Sequence, residues 1–357
     1  MRAARDSWLN PCSALLLCAI AGIAFSWLRS PLPWMIGPLL SMAVFNFAGA
    51  ELRAFRLARP AGQVIIGTAL GLYFTPAVTR EVASYWFLLV GAALFAIALA
   101  WGCSQVLVRV GGVDRVTAFF ASVPGGAAEM AVLGERYGGR VDRIALAQSL
   151  RILVVVIVIP FAMLLADVHG AHAYVPGIST FRLEGFALLL AIGVAAGALL
   201  SSLRFANPFM FGPLLVSTVL TGHGLEFSSV PGEASNLGQL LLGCALGSRF
   251  ERRYLQGLGR YVGAVVASIA FALAASLAFS AGLAWLTRLP LPSLVLATAP
   301  GGISEMCITA KVLQLGVPLV TAAHVTRVLV LITATAPLYR LARAVSERRA
   351  RRAGKSL

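Results

Sequence analysis

Residues Pro33–Leu40 read PWMIGPLL, and Pro208–Leu215 read PFMFGPLL, identical at six of eight positions with an offset of 175. Three further matches follow in almost the same register, at offset 176. Gln63, Gly67, Ala69, Leu70 and Gly71 match Gln239, Gly243, Ala245, Leu246 and Gly247. Pro124–Met130 (PGGAAEM) matches Pro300–Met306 (PGGISEM), and Arg151, Leu153 and Val154 match Arg327, Leu329 and Val330. Four ordered matches mean a tandem duplication, and an internal repeat limits the possible folds before local propensity is considered. The chain divides into a first membrane repeat, 1–175, and a second, 176–357, which ends in a basic tail.

Each repeat carries the same series of apolar runs. They are 12–28, 32–50, 61–79, 83–108, 116–133 and 144–166, then 184–203, 207–221, 236–248, 261–287, 291–310 and 317–340. These runs are long and lack strand-type alternation, so they read as helices. The chain is 59% hydrophobic and only 12% charged, where a soluble domain is roughly 25% charged. That excludes an ordinary soluble enzyme and a disordered chain. At about 20 apolar residues per crossing, the length allows on the order of ten crossings. The first run could pass for a signal peptide, but its counterpart at 184–203 places it in the fold.

The fifth run of each repeat is interrupted by Pro124–Gly125–Gly126 or Pro300–Gly301–Gly302. Proline removes a helix hydrogen bond, and two glycines release the backbone. The expected form is two half-helices meeting at a break, and broken backbone at membrane depth is tolerated only inside protein or beside water.

Loop charge separates a spanning from a re-entrant fifth run. The loop after the second run carries Arg53, Arg56 and Arg59 in the first repeat, but Glu226 and Glu233 with no base in the second. After the third run the bias reverses, from Arg80 with Glu81 to Arg249, Arg252, Arg253 and Arg260. Under the positive-inside rule, equivalent loops with opposite signatures lie on opposite sides. The expectation is an all-α polytopic membrane protein of two inverted repeats, each of five crossings plus one broken re-entrant helix. Arg2, Arg5 and the tail from Arg340 to Lys355 then place both termini in the cytoplasm, with Arg29, Arg288 and Lys311 as exceptions. The net charge of +15 is thus read as loop anchoring and attraction to anionic lipid rather than nucleic-acid binding.

Inverted repeats with broken helices are the architecture of secondary transporters, whose site lies where the breaks meet. Glu129 and Glu305 follow the second glycine by three residues and are the acids that lie well inside apolar runs. An intramembrane carboxylate is a functional candidate, and the same spacing also suits a cap on a half-helix. Arg151 and Arg327 are placed either to neutralise a Glu or to bind an anionic solute. Gln63 and Gln239 are candidates for the cavity wall, and the glycines of Gly67–Gly71 and Gly243–Gly247 fit close helix packing. The candidate substrate- or ion-binding set is therefore Glu129, Glu305, Arg151, Arg327, Gln63, Gln239 and the two Pro-Gly-Gly breaks. Asn46 and Asn207 lack equivalents and are given little weight.

Cys12, Cys18, Cys103, Cys244 and Cys307 form no CxxC pair, and His169, His172, His223 and His324 are scattered. His324 stands where the first repeat has Gln148. No metal-ligand spacing, Walker loop or nucleophile elbow is present, so no metal, cofactor or catalytic residue is expected.

PLPWMIGPLL at 31–40, FGPLLVSTVLTGHG at 211–224 and the paired PGGAAEM and PGGISEM segments resemble the bacterial AbrB family of membrane proteins over nearly the whole chain. The resemblance implies an inner-membrane protein that carries labels such as regulator or ammonia monooxygenase. Three functions are weighed. A secondary transporter of a small solute, anionic if the arginines serve it, leads. A membrane-embedded regulator of gene expression follows, and a copper monooxygenase, which needs clustered metal ligands that are missing, comes last. The bilayer, the solute and a second copy of the chain are the partners expected.

Overall fold

The computed structural model describes residues 2–168, 170, 180–225, 227–250 and 259–352. Glu226, Arg252, Arg253, His169, His172 and Lys355, all weighed above, lie outside the described residues, and the side chains of Arg2, Arg5 and most of the basic tail are likewise not described.

The described residues form fifteen helices and no strand. They are α1 (Arg2–Trp27), α2 (Pro33–Phe47), α3 (Ala58–Gly71), α4 (Pro76–Ser84), α5 (Trp86–Gly111), α6 (Arg115–Ser122), α7 (Ala127–Arg136) and α8 (Val141–Leu165) from the first repeat. The second supplies α9 (Leu183–Ser202), α10 (Pro208–Gly222), α11 (Gly232–Gly247), α12 (Gly259–Thr287), α13 (Leu291–Thr298), α14 (Ile303–Val312) and α15 (Val317–Arg352). The helix ends follow local chemistry. Pro33 and Pro208 open α2 and α10, where a missing N–H is harmless. Asp114 caps α6, its Oδ1 accepting from Thr117 N at 2.8 Å.

Two runs depart from single helices. Run 61–79 breaks after Gly71, and α4 leaves α3 at 90°, started by Thr75 and Pro76 as cap and first residue. The fifth runs break at Val123–Gly126 and at Ala299–Gly302, which leaves the half-helix pairs α6/α7 and α13/α14.

Six helices are long and apolar enough to cross a membrane: α1 from Asn10, α5, α8, α9, α12 and α15 as far as Ala334. Counting α3 with α4 makes seven. The helices α2, α3, α10 and α11 have 14 to 16 residues, about 21–24 Å at 1.5 Å per residue, short of a ~30 Å hydrocarbon core. The long helices turn large apolar side chains outward, among them Leu16, Leu94, Leu165, Leu199 and Trp285. That is the surface a bilayer covers and water does not.

The halves make matching local structure. Left-handed residues recur in register at Arg29 and Arg204, Leu32 and Asn207, Gly112 and Arg288, and Gly138 and Gln314. Packing recurs as well. A Cβ on Gly67 would lie 2.6 Å from Met210 O on α10, and one on Gly247 would lie 2.5 Å from Met42 Cβ on α2. The two Gly-xxx-Gly segments thus let α3 approach α10 and α11 approach α2 at backbone distance.

The repeat boundary is nevertheless not a packing boundary. One bundle is built from α1, α2 and α3 with α9, α10 and α11. The other is built from α5–α8 with α12–α15, in which α5 packs along α12. The main core runs through both, from Leu32 and Ile66 to Phe120, Val156, Leu296 and Val320.

Candidate functional site

Each break ends one half-helix and starts another, so it exposes carbonyl groups on one side and N–H groups on the other. Side chains from the sixth run hold the carbonyl side. On α8, Gln148 Nε2 donates to Phe120 O at 2.9 Å and to Val123 O at 2.8 Å. Arg151 Nη2 donates to Gln148 Oε1 at 2.8 Å, and its Nη1 reaches Ser122 O and Val123 O at 3.4 Å. On α15, Arg327 donates to Ala299 O and Gly301 O, both at 2.6 Å. Its Nη2 also meets His324 Nδ1 at 2.8 Å, while His324 Nε2 lies 2.9 Å from Leu296 O. Guanidinium only donates, so Nδ1 accepts and Nε2 carries the proton that goes to Leu296 O. Both arginines are buried. Among the described residues neither forms an ion pair with Glu129 or Glu305.

On the N–H side the motif brings its own carboxylate. Gly126 and Gly302 are the N-caps of α7 and α14, which puts Glu129 and Glu305 at the third helical position, the capping-box place. Both carboxylates fold back over the first turn, since a Cβ on Gly126 or Gly302 would collide with them. The first glycine of each motif has its own neighbour: a Cβ on Gly125 would lie 2.9 Å from Met130 Cγ, and one on Gly301 2.8 Å from Met306 Cγ. The Pro-Gly-Gly-x-x-Glu-Met pattern is therefore one unit. Proline stops a helix, and two glycines admit the methionine and the carboxylate that lie over the start of the next one.

A cavity of about 850 Å³ lies where the breaks face the other bundle. Its wall includes Glu129, Glu305, Arg151, Arg327, Gln63, Pro124, Gly125, Gly126, Gly301 and Gly302. Gln239 is buried away from it. Pro300 instead lines a small space of about 20 Å³ with Pro124 and Arg151. Glu129 is exposed to the cavity, whereas Glu305 keeps only 7% of its surface.

The structure adds residues that the sequence reading did not assign to a site. Arg59, Arg136, Arg204 and Arg249 stand on the wall beside Arg151 and Arg327, six arginines facing two glutamates. Arg59 Nη2 donates to Asn207 Oδ1 at 2.7 Å, and Gln63 Nε2 lies 3.5 Å from the same oxygen. In the sequence Arg59 and Arg249 read only as loop charges, and Asn207 has no equivalent in the first repeat. Among the described residues no group of three His, Cys, Asp or Glu is placed to hold a metal ion.

The family model described as "Transition state regulatory protein AbrB" matches residues 34–343. The chain is 28% identical over 361 residues to "Uncharacterized protein YhjN" of Bacillus subtilis (strain 168), covering 94% of this chain and 93% of that one. It is 29% identical over 306 residues to "Putative regulator AbrB" of Escherichia coli (strain K12), covering 83% and 86%. No solved structure gives a significant match. With its paired broken helices inside the region that the family model spans, the chain belongs to the AbrB family.

Proposed function

We propose that the protein is a secondary transporter of the bacterial inner membrane, not an enzyme, and that it carries a small organic anion through the cavity between its two bundles. The observation that carries this reading is the cavity wall, where six arginines face two glutamates around about 850 Å³ at the meeting point of two broken helices. Guanidinium groups in this excess, with Arg151 and Arg327 buried and Arg59 and Arg249 half-buried, favour a carboxylate or a comparable anion, which Arg binds through paired donors. Val132, Leu133, Phe205, Leu246 and Val328 supply apolar wall, which suits an anion with an organic body.

Transport requires that the site open to alternate sides. In the reading that best fits the loop charges, the repeats are inverted, with ten crossings, two re-entrant hairpins and both termini in the cytoplasm. The short helices α2, α3, α10 and α11 are then crossings that pack against one another. Arg59, Arg136, Arg204 and Arg249 all stand at helix ends or in loops that this topology puts on the cytoplasmic side, so the cavity opens inward. Cysteine placed at Arg56 and at Glu233 should label from opposite sides of the membrane, and labelling from one side would reject the inversion.

Flux in proteoliposomes tests the function. A panel of mono- and dicarboxylates, first screened for thermal stabilisation of the purified protein, should yield a substrate whose uptake exceeds that of empty liposomes. That uptake should vanish in the Glu129→Gln/Glu305→Gln double variant. No binding and no flux across the panel would overturn the reading.

A second reading, a membrane-embedded regulator of gene expression, is favoured by the family description and by the name of the E. coli relative. It expects a transcript change on deletion that the Glu129→Gln/Glu305→Gln variant still complements.

A further inference from the structure

On the side away from the cavity mouth, the second repeat is latched shut. Lys311 Nζ, near the end of α14, donates to Ser235 Oγ, near the start of α11, at 2.9 Å. Gly170 N, in the linker, donates to Leu313 O just beyond α14 at 3.2 Å. The half-helix α14 also packs against α3 of the other bundle. The equivalent faces of α7 and α11 are not packed in this way.

The duplication names the counterparts. At offset 176, Lys311 corresponds to Glu135 and Ser235 to Arg59. Glu135 lies near the end of α7 and Arg59 near the start of α3, the places their mates hold on α14 and α11. A lysine and a serine touch on the closed side, whereas on the open side the same two positions carry opposite charges. In this state they are not joined. The Glu135 side chain is exposed, and its carboxylate makes no hydrogen bond or ion pair among the described residues. Arg59 lies on the cavity wall and is held by Asn207.

We propose that Glu135 and Arg59 form the latch of the opposite state. When the cavity closes on the Arg59 side, the end of α7 meets the start of α3 as α14 now meets α11. The Glu135 carboxylate takes the Arg59 guanidinium from Asn207, and the Lys311–Ser235 contact parts. This inference rests on the alternating-access reading above, because exchange of conformation between inverted repeats is what brings the mates together.

The test uses the full chain in native membranes, with its five cysteines replaced. Two paired-cysteine variants, Arg59→Cys/Glu135→Cys and Ser235→Cys/Lys311→Cys, are treated with a short reversible thiol cross-linker. A third cysteine, Val132→Cys on the cavity wall, reports access through a membrane-impermeant maleimide. The 59/135 pair should cross-link and shield residue 132 from the cytoplasmic side, and the 235/311 pair should cross-link and leave it reactive. If residue 132 alone labels from both sides while 59/135 never cross-links, the latch is wrong and alternating access stands. If residue 132 labels from one side only and 59/135 never cross-links, both fall. Glu135→Gln, an exposed substitution that leaves the interior intact, should shift the balance toward the cytoplasm-open state by about two- to fivefold, the range of a solvent-accessible ion pair. The Glu135→Arg/Arg59→Glu exchange should restore it, and an exchange that folds but does not restore it counts against the latch.

Discussion

The two Pro-Gly-Gly breaks come from near-identical sequence and are not equally tight. In the second repeat, Arg327 holds the broken end with two bonds of 2.6 Å, and Glu305 is almost fully covered. In the first, Arg151 stands 3.4 Å from its carbonyls and leaves the shorter bonds to Gln148, while Glu129 faces the cavity. The same motif is thus caught in two environments. What differs is the neighbour: α14 rests on α3 of the other bundle, and α7 faces open space. The proposed alternating access needs equivalent parts of a duplicated protein to sit differently, and the breaks are where such an exchange would be felt first.

The comparison can be broken most directly at the arginines. Arg327→Met removes three charge-assisted bonds and leaves Ala299 O, Gly301 O and His324 Nδ1 without their donor. It should cost about 3–5 kcal/mol of stability in detergent, and Arg151→Met about half as much. Unfolding midpoints of the two variants measure the difference, and equal losses would mean the breaks are held alike. Next come the cap glycines. Gly302→Ala drives a methyl group into the Glu305 carboxylate, which is enclosed, at about 2–3 kcal/mol. Gly126→Ala should cost about 1 kcal/mol or less, because Glu129 has the cavity to swing into. Thermal midpoints again decide it. Cysteine at position 129 should react with a maleimide about tenfold faster than cysteine at 305, since the latter needs local opening. Comparable rates would remove the asymmetry. A similarly small effect is expected at the α10 cap, where Asn207→Leu copies the Leu32 of the other repeat. Losing the Arg59 bond, with a left-handed Leu in place of Asn, should cost about 1 kcal/mol.

The Pro-Gly-Gly pattern was enough to foresee each half-helix pair, because proline and paired glycines act locally and have no alternative in an apolar run. The close packing of the Gly-xxx-Gly segments was legible for the same reason. The bend after Gly71 was not: Leu72, Tyr73 and Phe74 continue the apolar run, and only Thr75 and Pro76 signal a restart. The pairing of Arg151 and Arg327 was also left open, since an intramembrane arginine seeks an acceptor and sequence does not rank a carboxylate above a bare carbonyl. The carbonyls at the breaks were the nearer acceptors. Arg59 and Arg249 are hard to read as site residues because they stand at helix ends, where charge reads as topology, and Asn207 because the first repeat has Leu32 in its place.

By itself the sequence determined that the chain is helical and apolar, doubled, broken twice at matched places, and armed at each break with one carboxylate and one guanidinium. Those properties follow from backbone chemistry and from the cost of burying unpaired polar groups, both of which act over a few residues. Only the tertiary structure decided that each bundle draws on both repeats, that the breaks share one arginine-lined cavity, and that the equivalent Glu129 and Glu305 are unequally covered. Those outcomes depend on which faces meet across more than a hundred residues of chain, and no local pattern encodes them.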